Sequence, residues 1–143
     1  MFFEKTRWSP NQTMLVAQAT GVRSPVNVVS MAVPELDDDD ALVRIEASGI
    51  CRSDWHIWNG DWTWNNVFMP EGGVLGHESG GVVERVGKGV KTIKVGQRVT
   101  VPFHLSCGRC PSCQRGNLNR CDNGASTNGT YGTGGWAEYM RVP

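Results

Sequence analysis

Short apolar runs broken by turn residues recur along this 143-residue chain. Each run is rich in β-branched residues and is bounded by glycine, proline or aspartate, which is typical of antiparallel strands joined by turns. The pattern predicts five strands, at 26–33, 41–47, 81–86, 98–103 and 136–142. Within the second, LVRIEA alternates apolar and polar residues, which predicts a strand with one buried face. The chain is therefore predicted to be mainly β.

Helical patterning is weak. Residues 53–58 are long enough for one or two turns, with Ser53 or Asp54 as the N-cap. The acidic run at 37–40 is predicted to form a solvated turn rather than a metal site. His104 is predicted to be a loop histidine.

Composition narrows the classes of partner. The length suits one domain with its own core, and 14 basic residues balance 14 acidic ones. This balance disfavours nucleic acid and anionic membranes as partners, and favours small molecules or other proteins. No signal-peptide pattern opens the chain and no 18-residue apolar run occurs in it, so a cytoplasmic location is predicted. Uncovered strand edges could pair in a homo-oligomer.

Four of the five cysteines are concentrated in a C-x2-C-x2-C-x7-C pattern, at Cys107, Cys110, Cys113 and Cys121. In a reducing compartment such a cluster favours metal over disulfides. Four thiolates satisfy a tetrahedral Zn²⁺ and leave no open position, so the cluster is predicted to be a structural zinc site.

Two alternatives to zinc remain open at this point. An iron–sulfur ferredoxin pattern shares the first two gaps, although here the last gap is seven residues and no proline follows Cys121. Two disulfides are the other alternative, but neighbouring C-x2-C pairs form structural bridges poorly.

A second candidate site combines Cys51 with His77 and Glu78. A lone cysteine is most often a buried apolar thiol. A cysteine, a histidine and a carboxylate are nevertheless the ligands of a zinc ion that keeps one position for water or substrate. This set is therefore the better candidate for chemistry.

Several motifs occur together in the order and spacing of one family. They are CRSD at 51–54, GHExxGxV at 76–83, GxRV at 96–99, the four-cysteine pattern and GWAEY at 135–139. From about Ala17 to the C-terminus the chain resembles zinc-dependent medium-chain alcohol dehydrogenases. The resemblance implies a GroES-like catalytic domain over 1–143, a partly open β-barrel with few short helices and a structural-zinc lobe built on the four clustered cysteines.

The resemblance also implies roles for individual residues. Cys51 and His77 correspond to ligands of the catalytic zinc, and Glu78 to an alternative or exchanging ligand. Ser53 corresponds to the hydroxyl that hydrogen-bonds the zinc-bound alcohol, and His56 to the end of the relay that carries its proton to solvent. Both side chains can accept and donate protons, as a relay requires.

Three further residues are assigned by the resemblance. Arg52 corresponds to a basic residue facing the cofactor pyrophosphate, while Trp62 and Phe103 correspond to residues lining the substrate slot. Two bulky aromatics there predict a preference for small primary alcohols or slim aldehydes. The implied activity is oxidation of alcohols to aldehydes or ketones with NAD(P), through a zinc-bound alkoxide and hydride transfer.

Members of this family are more than twice as long and hold NAD(P) on a Rossmann domain. The match to G-x-G-x-x-A at 132–137 follows no apolar strand, so it is interpreted as a glycine-rich loop. The chain is expected to be an incomplete catalytic domain that does not transfer hydride alone. A free-standing GroES-like zinc module is the alternative. A reductase or quinone-type branch is a third hypothesis, but those branches commonly lack the cysteine lobe.

Overall fold

A computed structural model describes residues 12–70, 72–126 and 134–143 of the chain. The strands are β1 (Thr13–Ala19), β2 (Val26–Ala32), β3 (Ala41–Ser48), β4 (Ser79–Val86), β5 (Arg98–Val101), β6 (His104–Leu105), β7 (Ala125–Ser126) and β8 (Tyr139–Val142). The helices are α1 (Arg52–Asn59), α2 (Pro111–Gln114) and two 3-10 turns, Thr63–Asn65 and Leu118–Arg120. This content confirms the mainly β prediction.

Three antiparallel sheets organise these strands. The central sheet has the order β5-β4-β3-β8, while β1 with β2 and β6 with β7 form separate pairs. Isolated bridges from Val16 to Ala137 and from Gln18 to Val74 join the β1–β2 pair to the segments that precede β8 and β4. The result is a partly open arrangement with α1 inserted between β3 and β4.

Each of the five predicted strands exists, but several ends differ. Residues 136–138 were predicted to belong to the last strand, which instead begins at Tyr139. Before that point the backbone bonds to β1, since Ala17 N–H donates to Trp136 O and Glu138 N–H donates to Leu15 O. Strand β5 ends at Val101 rather than at 103, because Pro102 has no N–H to continue the ladder.

Strand β3 corrects the expectation of one buried face. Ala41, Leu42 and Val43 are all buried, at 2%, 0% and 0% exposure. Ala41 and Val43 pack in one apolar cluster, while Leu42 packs in a second. The β1–β2 pair supplies much of the second cluster, including Met14 and Val16. Both faces of the first half of β3 are therefore covered.

We expect Leu42→Ala to lower the free energy of unfolding by about 3 kcal/mol, since it leaves a cavity beneath β1. The matched control is Leu15→Ala, because Leu15 is 52% exposed on β1, the strand that packs over Leu42, and its truncation is expected to cost about 0.5 kcal/mol or less. Urea unfolding of the two variants measures the difference. Equal losses would contradict the two-sided burial of β3.

One local prediction from the sequence holds only in part, and another was wrong. Asp40 is 1% exposed, and its carboxylate accepts a hydrogen bond from Asp37 N–H and pairs with Arg141 at 3.4 Å. The acidic run is thus a solvated turn at residues 37–39, whereas Asp40 is buried. His104 lies in the short strand β6 rather than in a loop. Within the described residues, no helix has the length and apolar character needed to cross a bilayer.

Candidate metal centres

The first centre is organised by the start of α1. The N-cap is Cys51, with extended φ and ψ, so the predicted caps Ser53 and Asp54 were wrong by two and three residues. Cys51 O accepts the first helical bonds, from the N–H groups of Asp54 and Trp55. Asp54 in turn accepts from Cys51 N–H at 3.2 Å through Oδ2. A carboxylate at the third helical position closes such a capping arrangement.

Asp54 also ties α1 to the segment that precedes β4. Its other oxygen, Oδ1, accepts from Gly76 N–H at 3.0 Å and lies 3.0 Å from Nδ1 of His77. The side chain is fully buried, at 0% exposure. Three contacts therefore satisfy a carboxylate that would otherwise be costly to bury. They fix the separation between Cys51 and His77.

The three predicted ligands of this centre come together. One ligand atom each from Cys51, His77 and Glu78 lies within 4.8 Å of the other two. His77 is buried, Cys51 is half-buried and Glu78 is exposed, so the group opens towards solvent on the Glu78 side. A Cβ at Gly49 would lie 2.5 Å from Glu78 Oε2. Glycine there lets the chain before Cys51 pass close to the carboxylate.

Aromatic rings contact the histidines of this region. Phe103, 57% exposed, meets the His77 ring edge-on at 5.5 Å. Trp62 stacks on His56 with ring centroids 5.1 Å apart. Both predicted substrate-lining residues thus lie against histidines of the candidate site.

The other two predicted residues, Ser53 and Arg52, lie in the first turn of α1. Within the described residues, the Ser53 hydroxyl has no hydrogen bond to a protein group. The Arg52 guanidinium lies 4.7 Å above the Trp55 ring and is exposed. In the described part of the chain, neither polar group forms a hydrogen bond or ion pair with a carboxylate or a carbonyl.

The second centre is the four-cysteine lobe. One sulfur each from Cys107, Cys110, Cys113 and Cys121 lies within 4.8 Å of all the others. Sγ of Cys121 is 3.6 Å from Sγ of Cys107 and 3.9 Å from Sγ of Cys110. A tetrahedral ion with bonds of about 2.3 Å places its ligand atoms about 3.8 Å apart. The spacing of the sulfurs therefore fits one such ion.

The same spacing weighs against the two alternatives. The cysteines of the chain are free, and sulfurs 3.6–3.9 Å apart are well beyond the S–S bond length of about 2.05 Å. A multi-iron cluster places its own iron and sulfide atoms between the cysteines, so it requires wider separations. A single ion such as Zn²⁺ suits this donor set best.

The thiols of the lobe differ in acidity. The backbone N–H of Arg109, followed by the Asn123 amide, lowers the pKa of the Cys107 thiol to about 6. Burial, together with the adjacent thiols, raises the pKa of Cys113 to about 12. Without a metal, the four sulfurs would therefore not all be thiolates at neutral pH. Binding of a divalent metal would release the remaining protons.

Both centres lie in a region that matches a known protein family. The profile of the family described as alcohol dehydrogenase GroES-like domain matches residues 37–143, which include all seven candidate ligands. The chain belongs to this GroES-like family. The predicted fold class and the resemblance to zinc-dependent medium-chain alcohol dehydrogenases are confirmed by this match.

Curated relatives of this GroES-like chain are dehydrogenases. It is 38% identical over 117 residues to L-threonine 3-dehydrogenase of Bacillus subtilis, covering 81% of this chain and 33% of the relative. It is 37% identical over 133 residues to alcohol dehydrogenase of Geobacillus stearothermophilus, covering 91% and 38%. The chain thus spans little more than a third of the length of these relatives.

Solved structures show the same relationship. Alcohol dehydrogenase TADH from Thermus sp. ATN1 superposes with a TM-score of 0.75 at 36% identity, covering 92% of this chain and 37% of that one. A zinc-binding dehydrogenase from Sinorhizobium meliloti 1021, bound to NADP, superposes with a TM-score of 0.71 at 38% identity and the same coverage. The GroES-like fold therefore extends over most of the chain.

Some residues of the two centres were not identified from the sequence. The sequence indicated Asp54 only as a helix cap, although it also holds the segment with His77. Asn123, which donates to Cys107 Sγ at 3.6 Å, was not predicted. Position 54 within the CRSD motif was a usable signal, whereas nothing in the pattern around position 123 indicates a contact with sulfur.

Proposed function

We propose that this chain is the zinc-binding catalytic part of an alcohol dehydrogenase that uses NAD(P). The observation that carries the proposal is the convergence of Cys51, His77 and Glu78 around a buried carboxylate, Asp54, that holds His77 by Nδ1. Such a carboxylate–histidine contact fixes the ring and leaves the other nitrogen to face a metal. The names of the relatives, which include alcohol and L-threonine dehydrogenases, agree with this reaction class.

The donor set fits a catalytic zinc better than a structural one. One sulfur, one imidazole and one carboxylate leave a coordination position for substrate. When bound, zinc makes an alcohol hydroxyl a much stronger acid and so prepares it to lose a proton at neutral pH. Cys51, at the N-cap of α1, and His77, fixed by Asp54, hold the site. Glu78 supplies an exposed carboxylate that can join or leave it.

Ser53 and His56 form the proton path of this proposal. Ser53 accepts the proton of the alcohol and passes its own onward, since a hydroxyl can do both. His56 exchanges it with solvent, because an imidazole ring can accept a proton on one nitrogen and release one. Both side chains are half-buried in α1, so the path leads from the ligands towards the surface.

Cofactor and substrate contacts complete the proposal. Arg52 binds the cofactor pyrophosphate, and a nucleotide-binding domain outside these 143 residues holds NAD(P). Trp62 and Phe103 narrow the substrate slot, so small primary alcohols are preferred, and faster turnover of bulky secondary alcohols by an active form would contradict this. A cytoplasmic location and a homo-oligomeric state belong to the same proposal.

The metal content of the purified chain tests the proposal. We expect two zinc ions per chain, one in each centre. Cys51→Ser and His77→Asn are each expected to leave one ion, because they remove a ligand of the catalytic centre alone. Plasma emission spectrometry measures the zinc, and substitution with Co²⁺ distinguishes a four-thiolate site from one with a single thiolate by the intensity of its sulfur-to-metal bands.

Matched variants make the assignment specific. Glu84→Gln alters a half-buried ion pair of β4 with Arg44 and is expected to leave both ions in place. A wild-type chain that binds one ion, unaffected by Cys51→Ser, would overturn the catalytic assignment and leave only the lobe.

A further inference from the structure

His56 has a carboxylate partner in the turn that follows α1. Its Nδ1 lies 2.7 Å from Oδ2 of Asp61, which is within hydrogen-bonding distance. The two side chains are 30% and 32% exposed, so the contact is partly shielded from water. A contact this short is typical of a charge-assisted hydrogen bond.

The backbone places Asp61 against the histidine. Gly60 ends α1 in the left-handed region, with φ of 80°, a conformation that glycine adopts without strain. The reversed chain then donates a backbone bond from Asp61 N–H to His56 O at 2.9 Å. Trp62, the next residue, stacks on the imidazole. The ring is therefore held from its edge and from its face by consecutive residues.

A directed series of hydrogen bonds stands behind Asp61. Arg23 Nε donates to Asn59 Oδ1 at 2.8 Å, and Asn59 Nδ2 donates to Asp61 Oδ1 at 2.6 Å. Because an arginine only donates, it fixes the amide of Asn59 with its oxygen towards Arg23 and its nitrogen towards Asp61. His56 and Asn59 together lower the pKa of Asp61. Asp61 is thus an acceptor on both oxygens.

We propose that Asp61 is a positioning residue that holds His56 as the Nδ1–H tautomer, so that Nε2 is the atom which takes and releases the proton. An acceptor-only carboxylate against Nδ1 requires the proton to lie on Nδ1 when the ring is neutral. The stacked Trp62 keeps the ring from rotating out of this arrangement. The inference rests on the proposed relay for its purpose, but the tautomer itself does not depend on any metal or cofactor.

Nitrogen-15 NMR of the imidazoles tests the proposal on the 143-residue chain at a pH where imidazole is neutral. The His56 signals are assigned by their loss in His56→Asn. We expect the Nδ1–H form to dominate in the wild type. Asp61→Asn is expected to shift the ratio about tenfold or more towards Nε2–H. Asn59 still donates to position 61, so the new amide must turn its oxygen to Asn59 and its nitrogen to His56.

A double variant gives the most specific test of the tautomer. Arg23→Met frees the Asn59 amide to turn over, so the amide of Asp61→Asn can present its oxygen to His56 again. We expect the Arg23→Met, Asp61→Asn chain to regain the Nδ1–H form. Asp122→Asn is the control, because Asp122 pairs with Ser112 in the cysteine lobe, and we expect no change in the His56 tautomer.

Each outcome has one meaning. A wild-type ring that is mainly Nε2–H, or an Asp61→Asn ring that keeps the wild-type ratio, would overturn the positioning role. Zinc content is measured on the same samples and is expected to stay at the wild-type value in Asp61→Asn. If Cys51 binds no zinc while the tautomer behaves as expected, the proposed function fails and the positioning of His56 by Asp61 stands.

Discussion

Cys110→Ser is expected to remove one zinc ion per chain and to lower the free energy of unfolding by about 4 kcal/mol. Cys110 is buried, and its sulfur lies 3.9 Å from that of Cys121. It is also the N-cap of α2, where its side chain accepts from Cys113 N–H. Serine is a good N-cap. The substitution therefore removes a metal ligand while it keeps the cap, and the loss of stability reports on the metal.

Thermal unfolding followed by circular dichroism measures this effect, and the midpoint of unfolding is expected to fall by about 13 °C for a domain of this size. Wild-type chain treated with a strong chelator loses both ions, so it is expected to unfold at or below the temperature of the variant. Cys51→Ser serves as the matched control, since it changes a cysteine to serine outside the lobe and is expected to retain the lobe zinc. A Cys110→Ser chain with wild-type zinc content and stability would contradict the structural role.

Asp54→Asn is expected to weaken zinc binding at the Cys51 centre by about 10- to 100-fold. We also expect it to lower the free energy of unfolding by about 3 kcal/mol. Both oxygens of Asp54 accept, one from Cys51 N–H and the other from Gly76 N–H and His77. An amide must turn its NH2 group towards one of these donors. Even this isosteric change therefore leaves the NH2 group of the amide facing a buried N–H donor.

Competition titration with a chromogenic chelator measures the first effect of Asp54→Asn and urea unfolding measures the second. Asp122→Asn is the control, because Asp122 is exposed and its carboxylate accepts a hydrogen bond from Ser112, far from Cys51 in the sequence. The lobe zinc is expected to remain in both variants. Unchanged zinc affinity in Asp54→Asn would show that His77 is positioned without the carboxylate.

The fold was predictable where local chemistry decides it. Runs rich in valine and isoleucine predicted four strands of the structure close to their true bounds. Strand β1 was missed because its pattern, with Met14 and Val16 buried and Leu15 exposed, is completed only by pairing with β2 and with residues near 137. Helix α2 has four residues and begins at Pro111, too few for a helical period to show.

The candidate site divides in a similar way. The seven candidate ligands were identified from motif spacing and the family resemblance, and the structure brings both sets together. Asp54 and Asp61 were not assigned their contacts, because those contacts depend on how the folded chain brings distant or reversed segments together. Asp54 reaches His77 across 23 positions, and Asp61 meets His56 only because the chain reverses at Gly60. A spacing pattern carries no information about such reversals.

Because of the Asp54 carboxylate, the two centres differ in how well they keep their geometry without a metal. Protein hydrogen bonds already hold Cys51 and His77 in place. We therefore expect these ligands to stay in position when an ion leaves, so that a new ion can bind without refolding. In the lobe, the hydrogen bonds that reach the sulfurs come from residues of the lobe itself, such as Cys107 N–H to Cys121 Sγ and Asn123 to Cys107 Sγ. We expect a bound ion to cross-link that segment. Metal exchange should therefore be rapid at the first centre and limited by local unfolding at the second.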